Sequence, residues 1–434
     1  MKNNAPAVPS TPPRQRRLKP MTKLDQLIAE LCPHGVPFVP LGEISQLVRG
    51  NGLQKKDFTE SGVGCIHYGQ IYTYYGLFTD KTKSFVSSEL AKTLRKVETN
   101  DIIITNTSEN VEDVCKPVVW LGKETIVTGG HATIIKHQQN AKYLAYFFQT
   151  EAFFRQKRKL ATGTKVIDVS ASNLAKVIIP LPPLPIQHEI VRILDNFAEL
   201  TAELTAELTA RKQQYNYYRE QLFFFDENEV QHLPMGDESI GEFQRGKRFV
   251  KTDLLTEGIP TIHYGEMYTH YGTWADETKS FVSEELVKNK NLRVAEKGDV
   301  VIVAAGETIE DIGKGTAWLG DEGVVIHDAC FSYKTVLNPK FVAYFTRTKQ
   351  FHDQIKKHIS SGKISAINAK GLGKTVIPIP SPEEQERVVS ILDKFDILTN
   401  SISEGLPKEI ELRQKQYEYY RDMLLTFPKD NLEA

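Results

Sequence analysis

The chain has 434 residues, of which 40% are hydrophobic and 25% are charged, and its formal net charge is −1. This composition is typical of a soluble globular protein, and the length suits two to three domains. No run of about 18 apolar residues predicts a transmembrane helix. The near-neutral charge excludes a protein that is basic throughout, so any positive surface for nucleic acid must be local or completed by a partner.

The start of the chain and the cysteines together indicate a cytoplasmic protein. Residues 1–20 are rich in proline and basic residues, which predicts a disordered tail, and they lack the apolar core of a signal peptide. Cys32, Cys65, Cys115 and Cys330 lie far apart without a Cys-x-x-Cys spacing. This pattern argues for a reducing compartment and against a zinc site.

A long internal repeat divides the rest of the chain into two copies. The segments that recur at an offset of 196 residues are Ile-His-Tyr-Gly (66–69 and 262–265), Tyr-Thr-x-Tyr-Gly (72–76 and 268–272) and Lys-Ser-Phe-Val-Ser (83–87 and 279–283). Further matches follow at offsets of 198 and 202 residues. A repeat of this length is a duplicated domain rather than a solenoid unit. Two similar domains suit a ligand that has two similar halves.

Each copy shows the same order of predicted elements. Short alternating apolar runs, such as residues 101–105 and 299–303, predict a mainly β region. One helix is predicted within it at residues 142–148 and again at residues 340–346. A turn with glycine follows, and a buried strand then ends in prolines at residues 177–183 and 376–380.

A long helix with one apolar stripe closes each copy. The predicted helix-packing residues are Ile193, Phe197, Leu200, Leu204 and Leu208 in the first copy and Ile391, Phe395 and Leu398 in the second. Gly405, Leu406 and Pro407 predict a break in the second helix. Such stripes become buried if the two helices pair antiparallel or if each one contacts a partner.

These elements predict five consecutive segments. They are a tail (1–20), a first globular domain (21–183), a first helix (184–225), a second globular domain (226–379) and a second helix (380–428).

Motifs for catalysis or cofactor binding are missing from the sequence. Residues 371–375 (Gly-Leu-Gly-Lys-Thr) resemble the end of a phosphate loop, but Asn368 stands where that loop needs glycine. A hydrolase that uses the repeated His67 and His263 is conceivable. Neither histidine has a partner at the spacing of metal ligands or of a catalytic pair. We therefore expect no enzyme activity, metal or cofactor in this chain.

Polar loops next to glycines supply the candidate contact residues. For the repeated Ile-His-Tyr-Gly segment two interpretations stay open: a strand end with a packed tyrosine, or a loop that reads base edges. The two lysines lie in glycine turns that suit phosphate contacts. The candidates are His67, Tyr68, Gln70, Tyr72, Thr73, Asn106, Ser108 and Lys165 in the first copy and His263, Tyr264, Glu266, Tyr268, Thr269, His270, Glu307 and Lys363 in the second.

The helical regions resemble those of the specificity subunits of type I restriction-modification enzymes. Residues 179–187 running into residues 190–195, and residues 377–380 with 384–393, carry the resemblance. The Thr-Ala-Glu-Leu repeats at residues 201–208 and the segment 404–422 are similar to one subgroup of that family. The resemblance covers nearly all of the chain after the tail, and it is weak inside the globular domains.

The resemblance implies an α+β fold and a non-catalytic DNA-recognition role. Each globular domain would be a target recognition domain for one half of a bipartite double-stranded DNA site. The two helices would form an antiparallel coiled coil with pseudo-two-fold symmetry, set the gap between the half-sites and dock two methyltransferase subunits. Those partners would bind S-adenosylmethionine and methylate adenine N6. Two motor-nuclease subunits that use ATP and Mg would restrict unmodified DNA.

Two alternatives and one expectation about the target accompany this interpretation. The chain could serve a type IIB system, in which one partner methylates and cleaves, or it could be a coiled-coil adaptor that does not bind DNA. If the recurring loops touch bases, the two half-sites should be related as inverted repeats. The differences between Gln70 and Glu266, and between Tyr74 and His270, would then change individual base preferences.

Overall fold

The structure is a computed structural model that describes residues 22–360, 362, 364–401 and 403–428. The predicted tail, residues 1–20, lies outside the described residues. The described chain divides into two compact units. Unit 1 comprises the residues up to Ala202 and those from Glu411 onward, and unit 2 comprises Glu203–Ile410. Each unit therefore contains pieces of both long helices, whereas the sequence treats the helices as separate segments.

Unit 1 is built around two sheets. The five-stranded sheet has the order Ser45–Arg49, Ala132–His137, Ile102–Thr105, Pro117–Trp120, Phe78–Thr79, and the four-stranded sheet has the order Ser84–Val86, Val63–Ile66, Ile126–Thr128, Arg95–Val97. Two strand pairs complete it, Phe38–Pro40 with Ile178–Pro180 and Thr107–Ser108 with Ile167–Asp168. Its helices are Lys23–Leu31, Leu41–Ile44, Lys55–Asp57 (3-10), Tyr68–Thr73, Ser88–Ala91, Ala141–Phe147, Glu151–Leu160 and Ala171–Leu174.

Unit 2 repeats this arrangement. Its five-stranded sheet has the order Gly241–Arg245, Cys330–Thr335, Val300–Val303, Gly315–Trp318, Trp274–Ala275, and its four-stranded sheet has the order Ser280–Val282, Ile259–Ile262, Val324–Ile326, Val294–Ala295. The strand pairs are Gln231–Pro234 with Val376–Ile379 and Ala305–Gly306 with Ser365–Ala366. Its shorter helices are Lys251–Asp253 (3-10), Glu266–Thr269, Glu284–Lys290, Ile309–Asp311 (3-10), Pro339–Phe345, Lys349–Ile355, Lys356–His358 (3-10) and Ala369–Gly373.

The middle strand of each large sheet is buried on both faces. Ile102 and Ile104 pack into one hydrophobic cluster, while Ile103 between them packs into another. Because side chains alternate across a strand, a strand between two clusters is apolar at every position. Val300 and Val301 divide between two clusters of unit 2 in the same way. The uninterrupted apolar runs of the sequence therefore mark these central strands.

The first long helix, which we call the central helix, runs without a break over Leu184–Leu222. The second long helix consists of Pro382–Asn400 and Gly405–Leu425. The break predicted near Gly405 is present, and Gly405 has a φ of +73°. A Cβ atom there would lie 2.3 Å from the carbonyl oxygen of Ile397. The turn between the two pieces therefore requires glycine.

The residues predicted to pack along the helices are all half-buried or in contact with a core. Ile193 packs on the core of unit 1, and the Phe197 ring lies 5.3 Å from the ring of Tyr420 in the same unit. In unit 2 the Phe395 ring lies 5.7 Å from that of Tyr218. The half-buried positions are Leu200, Leu204, Leu208, Ile391 and Leu398. These contacts and the two sheet-rich units confirm the predicted α+β fold. The full-length antiparallel pairing and the pseudo-two-fold symmetry stay predictions.

Candidate nucleic-acid interface

In unit 1 the repeated Ile-His-Tyr-Gly segment forms the start of a short helix. His67 is the residue before helix Tyr68–Thr73, and its Nδ1 accepts a hydrogen bond from the Gly69 N–H at 3.2 Å. The Gln70 Oε1 accepts from the His67 N–H at 3.1 Å, and the Gln70 Nε2 donates to the Ser84 hydroxyl at 2.7 Å. Burial, aided by Lys55, lowers the pKa of His67. Both side chains thus act inside the unit as a helix cap.

Unit 2 has the same cap with one substitution. The His263 Nδ1 accepts from the Gly265 N–H at 3.2 Å, and the Glu266 Oε2 accepts from the His263 N–H at 3.2 Å. The Ser280 hydroxyl donates to the Glu266 Oε1. Burial lowers the pKa of His263 as well. The recurrence of this segment is therefore explained by folding, and it gives no independent support to a palindromic target.

Two tyrosines recur in each unit, and both contact neighbouring segments of that unit. The Tyr72 hydroxyl donates to the Thr107 carbonyl at 2.8 Å, and the Tyr268 hydroxyl donates to the Ala305 carbonyl at 3.1 Å. These carbonyls are equivalent in the two copies. The Tyr68 ring lies 4.7 Å from the His131 ring in unit 1, and the Tyr264 ring lies 5.0 Å from the His327 ring in unit 2.

Asn106 is buried, and its side chain holds the local backbone in place. Its Nδ2 donates to the Val169 carbonyl at 2.7 Å, and its Oδ1 accepts from the Thr133 hydroxyl at 2.9 Å. Because it is only 1% exposed, we assign it a structural role beside the surface described next.

Three segments of unit 1 meet in one open cleft, bounded by tyrosines, a strand and a hairpin. The cleft itself measures about 460 Å³. Strand Thr107–Ser108 pairs with Ile167–Asp168, and Thr162 bridges Asp168 to close a hairpin with exposed Lys165 near its tip. The residues that line the cleft are Tyr68, Tyr72, Thr107, Ser108, Glu109, Asn110, Asp113, Lys116 and Val166. The structure thus brings together Tyr68, Tyr72, Ser108 and the Lys165 turn. We call helix Tyr68–Thr73, this strand and hairpin 162–168 the three-part surface.

Unit 2 carries the same three-part surface. Helix Glu266–Thr269, strand Ala305–Gly306 and residues 360, 362 and 364–366 form it, with Ser360 bridged to Ala366 and Gly306 paired with Ser365. Glu307 follows this strand and is exposed, as Glu109 is at the equivalent place in unit 1. Within the described part of the chain, neither carboxylate has a hydrogen bond or an ion pair. Lys363 lies outside the described residues.

At the C-terminal end of each short helix, opposite the cap, the side chains are exposed. Thr73 and Thr269 are exposed, and each hydroxyl donates to the backbone one turn earlier, at 2.9 and 3.1 Å. Tyr74 is 58% exposed, with the Lys83 Nζ 4.5 Å from its ring centroid. His270 takes the equivalent place in unit 2 and is also exposed. Tyr74 and His270 therefore face solvent, unlike Gln70 and Glu266, whose side chains are hydrogen-bonded within the caps.

A pair of basic residues beside each hairpin was absent from the sequence-based candidates. Arg158 and Lys159 end helix Glu151–Leu160, directly before the Lys165 hairpin, and both are exposed. At the offset of 198 residues, Lys356 and Lys357 are exposed at the same place in unit 2. An alignment of the two copies would have found this pair, because both positive charges recur at the same offset.

The two units are similar, and each one exposes aromatic, acidic and basic side chains. Such a protein suits an extended ligand with two comparable parts. A sequence model of the family described as "Type I restriction modification DNA specificity domain" matches residues 33–211 and 237–412. The chain belongs to this family. None of the described helices has the length and apolar character needed to span a membrane.

Individual relatives agree with the family. The EcoR124I/EcoR124II specificity subunit of Escherichia coli is 39% identical over 273 residues, which cover 60% of this chain and 65% of that subunit, just under two thirds of its length. A putative type I restriction enzyme specificity subunit of Haemophilus influenzae is 33% identical over 323 residues, covering 71% of this chain and 76% of its own.

Solved structures share the fold. A chain from a study of complex assembly and conformational transition of the type I R-M system superposes with a TM-score of 0.62 at 15% identity, covering 91% of this chain and 98% of that one. The HsdS subunit of Thermoanaerobacter tengcongensis gives a TM-score of 0.51 at 15% identity, covering 91% of this chain and 97% of that one.

Proposed function

We propose that this chain is the DNA-recognition subunit of a type I restriction-modification complex and that each unit reads one half of a bipartite target. The observation that carries the proposal is the three-part surface, which occurs in both units with the same tyrosine-to-backbone hydrogen bond. A protein that presents one arrangement twice suits DNA whose specific bases lie in two separated groups.

Phosphate contacts are assigned to the basic side chains beside the hairpins. Lysine and arginine supply most of the sequence-independent affinity for DNA, because they release counterions from the phosphates. The residues assigned to this role are Arg158, Lys159 and Lys165 in unit 1 and Lys356 and Lys357 in unit 2. Lys363 is added from its place in the sequence alone. These local charges reconcile DNA binding with a net charge of −1 for the whole chain.

Base contacts are assigned to exposed polar side chains of the same surface. Thr73 and Tyr74 in unit 1, and Thr269 and His270 in unit 2, have the exposure that a base contact requires. Glu109 and Glu307 are exposed carboxylates that can only accept hydrogen bonds, which suits the amino group of cytosine. Thr73 and Glu109 recur as Thr269 and Glu307, whereas Tyr74 is replaced by His270. We therefore expect half-sites that are related but differ where Tyr74 and His270 make contact.

The chemistry is assigned to partner subunits in the cytoplasm. Two methyltransferase subunits would bind S-adenosylmethionine and methylate adenine N6, and two motor-nuclease subunits would use ATP and Mg for restriction. This chain would direct both activities to the target without taking part in either reaction.

Neutralising the basic pair of unit 1 tests DNA binding. For the double variant Arg158→Gln/Lys159→Gln in complex with its methyltransferase partner, affinity should fall for target and non-target DNA alike. The slope of log K against log salt should decrease by about two, since about 0.9 counterions are released per phosphate contact. Fluorescence anisotropy over a series of salt concentrations measures both quantities.

The matched control is Lys123→Gln. Lys123 is exposed and follows Trp120, at the opposite end of strand Pro117–Trp120 from the cleft residue Lys116. It should leave the salt slope unchanged. A double variant with the wild-type slope, or a complex that binds no DNA at all, would contradict the assignment, and the second result would favour the adaptor alternative.

Exchanging the cap residues separates folding from base reading. Gln70→Glu installs the residue of unit 2 in a cap where Ser84 can donate to a carboxylate, as Ser280 does to Glu266. We expect the methylated sequence to stay the same, and we expect the same for Glu266→Gln. Single-molecule sequencing of methylated DNA checks this result. A changed base in the first half-site with Gln70→Glu would show that this side chain leaves the cap to read DNA.

A further inference from the structure

An aspartate at the start of the fourth turn of the central helix binds two side chains of its own unit. The Asp195 Oδ1 accepts a hydrogen bond from the Tyr146 hydroxyl at 2.6 Å, and its Oδ2 accepts from the Lys142 Nζ at 2.7 Å. Tyr146 is 1% exposed, and its burial together with this hydrogen bond raises the pKa of the phenol. Lys142 and Tyr146 lie one turn apart on helix Ala141–Phe147, which we call the anchor helix of unit 1.

Unit 2 contains the same contact in the second long helix. The Asp393 Oδ1 accepts from the Tyr344 hydroxyl at 2.7 Å, and its Oδ2 accepts from the Lys340 Nζ at 2.8 Å. Here the anchor helix is Pro339–Phe345. The same two oxygens serve the same two donors in both units, so a common function of the contact is a better explanation than chance.

A second polar contact fixes the first turn of each long helix. The Gln187 Oε1 accepts from the Asn140 N–H at 3.0 Å, at the start of the anchor helix, and Gln187 is fully buried. The Gln385 Oε1 accepts from the Asn338 N–H at 2.8 Å in unit 2. Gln187 and Asp195 are about 12 Å apart along the helix axis at 1.5 Å per residue. Two separated contacts define the direction of a helix, whereas one would leave it free to tilt.

We propose that Asp195 and Asp393 are positioning residues that fix the direction of the long helices and thereby the gap length that the complex accepts; this rests on the proposed function. From Asp195 the central helix continues for about 40 Å to its end at Leu222. A tilt of about 5° would move that end by about 3.5 Å, close to the rise of one base pair of about 3.4 Å. A small change in the direction of the helix at Asp195 is therefore enough for the complex to accept a target with a wrong gap.

The variant Asp195→Asn tests the proposal. Asparagine keeps the size of the side chain and an oxygen for Tyr146, but it loses the ion pair with Lys142. The complex of each variant with its methyltransferase partner is supplied with plasmids that carry both half-sites at every gap from two base pairs shorter to two longer than the wild-type gap. We expect methylation at gaps that differ by one base pair to rise about tenfold relative to the wild-type gap, as expected for one lost hydrogen bond to a charged group. The half-site bases should not change.

Two further variants support this test. Lys142→Met removes the other partner of the ion pair and should likewise raise methylation at gaps that differ by one base pair from the wild-type gap. Glu199→Gln makes the same change of charge one turn further along the helix at an exposed position, and it should leave the gap preference unaltered. Asp393→Asn should reproduce the effect in the other unit.

Each outcome has a distinct meaning. A wild-type complex that methylates no split target would contradict the proposed function itself. A different result would overturn the positioning role. The wild-type complex would have one preferred gap, but the Asp195→Asn and Lys142→Met variants would have a lower melting temperature and an equal loss of methylation at all gaps. That pattern is what a purely structural contact produces.

Discussion

Inserting one Thr-Ala-Glu-Leu unit after Leu208 is expected to end methylation of the original target and to create a target with the same half-sites and a longer gap. Four residues lengthen the central helix by about 6 Å at 1.5 Å per residue, and a base pair rises about 3.4 Å, so the gap should grow by one or two base pairs. The inserted leucine continues the four-residue spacing of Leu200, Leu204 and Leu208. Sequencing of methylated DNA from cells that carry the variant measures the change.

The same four residues inserted between Glu227 and Asn228 are the matched control. This position follows Phe223, which is already fully buried in the core of unit 2, and it lies in an exposed turn. A surface loop accepts such an insertion at little cost in free energy. The control should therefore keep the original gap. Altered half-site bases at an unchanged gap in the first variant would contradict the idea that the helix sets the spacing.

Phe223→Ala is expected to produce the largest loss of stability among the substitutions considered. The Phe223 ring is fully buried, with centroids 4.8 Å from Phe341 and 5.6 Å from Phe345. Removing a buried phenylalanine costs about 3–5 kcal/mol, which is a large part of the roughly 5–15 kcal/mol that stabilises a typical domain. Calorimetry should show a lower melting temperature, and methylation of the split target should be lost as well.

The neighbouring residue supplies the control for this substitution. Phe224 is 83% exposed. Phe224→Ala should change the free energy of unfolding by less than about 0.5 kcal/mol, as is usual for exposed positions. Equal melting temperatures for the two variants would show that the end of the central helix is not held in the core of unit 2.

The framework of the fold follows from local sequence patterns. Apolar runs such as Ile102–Thr105 identify the central strands, and the four-residue spacing of leucines identifies the central helix, because burial on both faces and burial of one stripe each leave a periodic signature. The assignment of helix pieces to different units does not follow from the sequence. It depends on contacts such as that of Phe197 with Tyr420, which are more than two hundred residues apart.

The candidate site was predicted only in part, because the sequence does not show which polar side chains are already bonded. Gln70 resembles a base-reading residue until Ser84, fourteen residues later, is found to accept its amide N–H. Asn106 likewise finds partners far away in the sequence, Thr133 and the Val169 carbonyl. Strand pairing between residues 107–108 and 167–168 brings Ser108 to the Lys165 hairpin, and that pairing has no local signature. Asp195 ends the segment 190–195 that carries the family resemblance, but its role depends on the position of the anchor helix.

A comparison of genomic N6-methyladenine in cells with and without this gene tests the central claim most directly. If each unit reads one half of a split site, deletion should remove methylation from one bipartite motif, two short specific sequences separated by a fixed gap, and reintroducing the gene should restore it. Unchanged methylation in cells whose methyltransferase partner is active, or loss of a motif whose specific bases are continuous, would contradict the account.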